Sequence, residues 1–183
     1  RANAKWIPVN TRNAIDANAA YLTYVRCGWL FYHSSMADDV AELKARVPTL
    51  RNFVCLDKAH DGDPSLEDFI AGADPERWQD PSDPFCNRDE IVGIFPTGGT
   101  TGPSKAVITP WAVMYQFWSW VPDDALGSGD GLYCAMPLFH KSGGSAFNYA
   151  MARNARFVLR DRFSATDFWS DIRATGCVTA ALV

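Results

Sequence analysis

The sequence predicts an α/β fold in which largely parallel sheets are covered on both faces by helices. Three observations point there. Strand-like and helix-like segments alternate along all 183 residues. Most of the strand-like segments are continuous apolar runs, the pattern of strands buried on both faces, rather than alternating ones. Hydrophobic residues make up 48% of the chain and charged residues 21%, which suits a packed core and excludes a disordered chain. No internal repeat of fixed period is present.

The elements follow in order. Residues 5–9 read as a short strand ending at Pro8-Val9-Asn10. Residues 14–26 read as a helix with Asn13 as its cap. Strand 29–33 comes next, then a helix over 36–46, capped by Ser34 or Ser35 and stopped before Pro48. Residues 51–57 form another strand. A short helix near 65–71 takes Ser65 as its cap, with Glu67 and Asp68 in the first turn. Residues 73–89 change character, with three prolines and five acids, and read as a surface connection. They separate a first α/β segment, about 1–72, from a second, 90–183.

In the second segment, strand 91–95 runs into a loop over 96–104, and strand 105–109 leads on. Residues 111–121 read as a helix rich in aromatics. Strand 131–136, a loop over 137–144, helix 145–153 and strand 155–160 come next. Ser164 caps a helix that runs to about Thr175, where Gly176 stops it. Residues 177–183 form a last buried strand. Domains rarely stop inside such a strand, so the expectation is a piece of a larger domain.

Charge and cysteine content exclude several function classes. The net charge is −4 and the pI about 5.3, which argues against a nucleic-acid partner. The five cysteines form no C-x-x-C pair. Cys27, Cys55, Cys134 and Cys177 lie in or beside apolar runs, where a free thiol behaves as a small hydrophobe. That pattern speaks against a zinc or disulfide framework and for a reducing compartment, the cytoplasm. The longest strongly apolar segment, Trp111 to Val121, has 11 residues and is too short to be a transmembrane segment.

The segment richest in chemistry is Thr97-Gly98-Gly99-Thr100-Thr101-Gly102-Pro103-Ser104-Lys105. Three glycines, three threonines and a lysine share nine positions directly after a strand. Glycines let backbone N–H groups line a concave loop that suits phosphate oxygens. Threonine hydroxyls add donors or can ligate Mg²⁺, and lysine adds a mobile charge. The order is neither G-x-x-x-x-G-K-[ST] nor G-x-G-x-x-G.

These residues resemble the T-[SG]-G-T-T-G-x-P-K-G phosphate loop of adenylate-forming enzymes: acyl-CoA synthetases, peptide-synthetase adenylation domains and luciferases. Ser104 and Ala106 depart from that pattern, where Pro and Gly are usual. Downstream, Met136-Pro137-Leu138-Phe139-His140-Lys141-Ser142-Gly143-Gly144 resembles the family's P-L-F-H-x-x-G segment. Upstream, Trp6-Ile7-Pro8-Val9-Asn10 resembles its V-P-x-N strand end. Arg162-Phe163-Ser164 with Phe168-Trp169 looks like the carnitine and crotonobetaine ligases.

The resemblance covers nearly the whole chain and implies part of an N-terminal domain of an AMP-forming acyl-CoA synthetase. It implies a two-step reaction in which a small-molecule carboxylic acid attacks ATP·Mg²⁺ and a thiol, usually that of coenzyme A, then displaces AMP. It assigns Thr97, Gly98, Gly99, Thr100, Thr101 and Gly102 to the phosphates, with Thr100 toward Mg²⁺ and Lys105 as the counter-charge. Phe139, His140 and Gly143 would line the acyl pocket, together with aromatics of 111–121 and 138–148. The chain would lack several downstream ligase residues, so by itself it is expected to be inactive as a ligase. Three alternatives stand beside this reading: a peptide-synthetase adenylation domain, a non-catalytic nucleotide binder, and a hydrolase using Ser142 or Ser145 beside His140.

Overall fold

The computed structural model describes residues 4–73, 89–97, 104–116 and 118–182. Its contacts divide the chain into two compact units, Arg1–Pro84 with Pro96–Val107, and Phe85–Phe95 with Ile108–Val183.

In the first unit, α1 (Ile15–Tyr24), β1 (Trp29–Tyr32), α2 (Ala37–Arg46), β2 (Asn52–Cys55) and α3 (Leu66–Ile70) succeed one another. Strands β1 and β2 pair in parallel, with Leu30 opposite Phe53 and Tyr32 opposite Cys55. Leu22 of α1, Leu43 of α2 and Val47 are fully or almost fully buried and pack with Leu30 and Phe53. α2 ends at Arg46, ahead of Pro48. Ser65 caps α3 by accepting the Asp68 amide at 3.0 Å.

Three local expectations change. Trp6 makes only an isolated bridge, so residues 5–9 form no described strand. Asn13 does not cap α1: its carboxamide oxygen accepts from Asn10 Nδ2, and its own Nδ2 donates to Asn18. Ahead of α2 runs a 3₁₀ turn, Ser34–Met36, and its cap is His33, whose Nδ1 accepts the Ser35 amide at 3.2 Å.

Strands β3 (Ile91–Pro96) and β4 (Ala106–Pro110) pair with each other in a two-stranded sheet. The Thr97 amide donates to the Lys105 carbonyl (2.9 Å) and the Trp111 amide to the Glu90 carbonyl (3.0 Å). These two bonds bracket an antiparallel hairpin. α4 (Trp111–Gln116) follows directly and is shorter than the helix expected over 111–121.

The second unit is built on β5 (Gly131–Cys134), β6 (Arg156–Leu159) and β7 (Cys177–Ala181), in the order β6-β5-β7 and parallel throughout. Every residue of β5 is buried. Its side chains alternate between two covered faces. Leu132 and Cys134 pack with Ala146, Tyr149 and Ala150 of α5 (Lys141–Ala152). Tyr133 packs with Phe168 and Ile172 of α6 (Phe168–Thr175). The apolar run read as a two-sided strand is thus covered by a different helix on each side.

α6 begins later than its sequence suggests. Ser164 accepts the Asp167 amide at 3.3 Å and so closes the preceding turn, and the helix starts at Phe168. Gly176 ends it with φ +62°, the left-handed stop expected there. No helix among the described residues is long and apolar enough to cross a membrane.

Candidate functional site

In an open parallel sheet, ligands collect outside the carboxyl ends of the strands, where the strand order reverses. β5 marks that place in the second unit. The chain leaves β5 through α5 on one face, returns in β6, crosses through α6 on the other face, and enters β7 on the far side of β5. The segment that leaves the carboxyl end of β5 is Ala135–His140, and it carries Phe139 and His140.

A turn closes this segment, with the His140 amide donating to the Pro137 carbonyl at 3.0 Å. His140 then caps α5: its Nδ1 accepts the Ser142 amide at 3.3 Å, and its carbonyl accepts the Gly144 amide at 3.1 Å. The helix therefore begins at Lys141, four residues before the expected 145, and Gly143 and Gly144 lie in its first turn rather than in a loop. Gly143 explains how the turn fits. A Cβ there would stand 2.3 Å from the Pro137 carbonyl oxygen and 2.9 Å from that of Met136. Only glycine lets the helix seat on the strand end that closely.

The structure brings Phe139, His140 and Gly143 together. Phe139 is half-buried and His140 exposed, while Gly143 is buried. The aromatics expected around them separate into two groups. Trp118 and Tyr149 stack at 5.4 Å inside the core cluster and serve packing. Phe147, at 42% exposure, and Trp120, at 74%, remain accessible. Phe117 lies outside the described residues.

A serine-nucleophile arrangement is not what the contacts build. Ser145 is fully buried and donates its hydroxyl to the carbonyls of Lys141 (2.7 Å) and Ser142 (3.1 Å). The Ser142 contact to His140 runs through its amide, not its hydroxyl.

The glycine loop belongs to the hairpin. Gly98, Gly99, Thr100, Thr101 and Gly102 lie outside the described residues, and Thr97 and Lys105 form the neck. Both the amide (2.9 Å) and the hydroxyl (3.4 Å) of Thr97 donate to the Lys105 carbonyl, and Lys105 is exposed.

Sequence reasoning missed a cluster at the carboxyl ends of β1 and β2. Asp57 accepts from the Ser34 hydroxyl (2.6 Å) and amide (2.8 Å), with His33 Nε2 3.7 Å away. The Ser34 hydroxyl, and then its amide, hold the Asp57 carboxyl well below the usual carboxylate range. The only sequence signal was a His-Ser-Ser step after an apolar strand. Cys27, Cys55, Cys134 and Cys177 are all buried free thiols, and burial pushes the thiols of Cys27 and Cys134 up.

A family model described as "AMP-binding enzyme" matches residues 1–183. Long-chain fatty acid transport protein 1 of Mus musculus is 27% identical over 165 residues, 84% of this chain and 25% of that protein. Crotonobetaine/carnitine–CoA ligase of Citrobacter koseri is 25% identical over 181 residues, 94% of this chain and 34% of the ligase. The chain thus spans a quarter to a third of these relatives. Among solved structures, a long-chain-fatty-acid CoA ligase described as putative, from Rhodopseudomonas palustris, superposes with a TM-score of 0.76 at 18% identity. The match covers 93% of this chain and 42% of that one. The N-terminal domain of FACL13 from Mycobacterium tuberculosis superposes with a TM-score of 0.72 at 24% identity, covering 90% of this chain and 40% of that one. At these identities the two superpositions establish the fold.

Proposed function

The chain belongs to the AMP-binding enzyme family, and from that premise we propose that it is part of an ATP-dependent acid–thiol ligase, an AMP-forming acyl-CoA synthetase. The observation that carries this reading is the Thr-Gly-rich segment 97–105, set between two strands and drawn together at its neck by Thr97 and Lys105.

The chemistry takes two steps. A carboxylate oxygen attacks the α-phosphorus of ATP, the bond to pyrophosphate breaks, and an acyl-adenylate forms. The thiol sulfur of coenzyme A then attacks the acyl carbon, AMP leaves, and the thiol proton passes to solvent. The first step moves charge onto the phosphates. A nest of amides from Gly98, Gly99, Thr100, Thr101 and Gly102, with the Lys105 ammonium, stabilises it. Thr97 spends its hydroxyl on the neck, and the family resemblance assigns the Thr100 hydroxyl to Mg²⁺. Mg²⁺ would neutralise phosphate charge as the bond breaks. Phe139, His140 and Gly143 border the acid. The exposed aromatic Phe147 on the same helix favours an acid with an apolar acyl or aryl group. The four buried thiols suit a reducing cytoplasm.

Carboxylate-dependent ATP–pyrophosphate exchange, measured on the longer protein over short, medium, long-chain and aromatic acids, tests the reading. Exchange with one class of acid is expected. Lys105→Ala should weaken it by about 10- to 100-fold, the range for losing one charge-assisted hydrogen bond. A folded protein that binds ATP and exchanges with no acid would instead be a non-catalytic nucleotide binder. An exchange specific for amino acids would favour a peptide-synthetase adenylation domain.

A further inference from the structure

We propose that Asp61-Gly62 is a succinimide-forming step at which the folded protein accumulates isoaspartate, and that this turn is therefore a substrate for a carboxyl methyltransferase that recognises that linkage. The inference does not depend on the ligase reading.

The chain has two Asp-Gly steps, Asp61-Gly62 and Asp130-Gly131. Glycine offers the least steric hindrance when a backbone nitrogen attacks the carboxyl carbon of the aspartate before it, so by sequence the two steps are equal. The fold separates them. Asp61 and Gly62 form the tip of a two-residue turn, with φ +49° and +81°. The His60 amide donates to the Asp63 carbonyl at 3.0 Å, and the Asp63 amide to the His60 carbonyl at 2.8 Å. Beyond those two bonds the tip is open. Among the described residues the Gly62 amide donates to nothing. Nothing lies within 4 Å of where a Gly62 Cβ would stand. The Asp61 side chain is 74% exposed and meets Lys44 Nζ at 3.7 Å, while that ammonium sits closer to Asp63, at 2.8 Å.

The second step is locked. The Asp130 carboxylate accepts the Gly127 amide at 2.8 Å. Gly131 is buried at the start of β5, in register with Arg156 on one side and Cys177 on the other. A Cβ there would already stand 2.9 Å from Cys177 Sγ, so the sheet leaves no room for a five-membered ring.

The reaction needs only water. The Gly62 nitrogen attacks Asp61 Cγ, the N–Cγ bond forms, and one carboxyl oxygen leaves as water with the carboxyl and amide protons. Water then adds back to the ring. Addition at Cγ restores aspartate. Addition at the Asp61 main-chain carbonyl breaks its bond to the Gly62 nitrogen, so the chain runs through Cβ and Cγ and the former main-chain carbonyl becomes a free carboxylate. The mass is unchanged, and that carboxylate is the group a methyl donor would esterify. The altered linkage lies next to Asp63, which accepts the Tyr32 hydroxyl at 2.7 Å and ties the loop to β1 and α2.

The test ages the longer protein at neutral pH and physiological temperature, one sample folded and one in urea. Both are then treated with isoaspartyl methyltransferase and labelled S-adenosylmethionine, and mapped by peptide. In the folded sample the Asp61 peptide should take label about tenfold or more faster than the Asp130 peptide. In urea the two should label alike. Asp61→Gly suits the positive φ of the turn and removes the reacting carboxyl, so label should vanish from that peptide. Asp61→Asn tolerates the same backbone and should close the ring faster, releasing ammonia in place of water. Label at neither site of the folded protein, no excess at Asp61 over Asp130, or label that persists in Asp61→Gly overturns the proposal.

Discussion

Gly143 and Gly176 are both glycines by necessity, for different reasons. At Gly176 the backbone lies at φ +62°, and alanine meets only the left-handed penalty of about 1–2 kcal/mol. At Gly143 the obstacle is two rigid carbonyls, one of them 2.3 Å from the new atom. Gly143→Ala must move the α5 turn off the strand end, at about 1–3 kcal/mol or more. Urea unfolding of the two variants should rank Gly143→Ala as the more damaging. Asp57 sets a pH dependence at the same scale. Its carboxyl is depressed in the folded chain by the Ser34 hydroxyl and amide. The contribution is therefore complete above the unfolded value of about 4 and drains away as pH falls below it. The urea midpoint should drop as the pH falls from about 5 toward 2, and drop less in Asp57→Asn. Equal drops would remove Asp57 from the acid response.

Among the elements, β5 carries the second unit. Leu132 has no exposed surface and sits against α5, so Leu132→Ala should cost about 2–5 kcal/mol, read by the same unfolding measurement. The strand was legible because both its faces are apolar; β3 and β4 were legible as strands, but their antiparallel pairing was not. Ser65 and Gly176 were legible as helix boundaries because each acts through its own backbone or hydroxyl. The start of α5 was not. Histidine is a rare cap, and Gly143-Gly144 reads locally as a loop; the reason for glycine there is a close approach to the carbonyls of Pro137 and Met136, six and seven residues back in sequence. The same physics hid His33, because Ser34 and Ser35 next to it are the better caps by local preference, and Ser34 was drawn instead to Asp57 across 23 positions. Of the site, the glycine loop and the Phe139-His140 pair were visible as motifs. The cap that His140 provides depends on a helix boundary that no motif announces.

At the scale of the whole molecule, buried phenols set the alkaline limit. Burial, with Cys27 nearby, pushes Tyr21 up to about 12, and burial raises Tyr32 and Tyr133 as well. The unfolded chain ionises its tyrosines near pH 10 while the folded chain holds these neutral, so stability falls as pH rises from there until Tyr21 ionises in the fold. The tyrosinate absorbance of Tyr21, Tyr32 and Tyr133, read as the difference from their Phe variants, should therefore appear together with unfolding above about pH 10, not ahead of it. The 183-residue chain should also form no acyl-adenylate by itself, with pyrophosphate release as the readout; robust release would show that the machinery is complete within it.

The two compact units are interleaved in sequence, because Pro96–Val107 belongs with the first and Phe85–Phe95 with the second. On the ribosome this imposes an order. The first unit cannot be completed when residue 84 emerges, since it waits for the stretch ending at Val107, and by then the second unit has already begun. A nascent chain halted after Pro84 should remain protease-sensitive. One extended past Val107, by enough residues to clear the exit tunnel, should acquire protection in its first eighty residues at a single step.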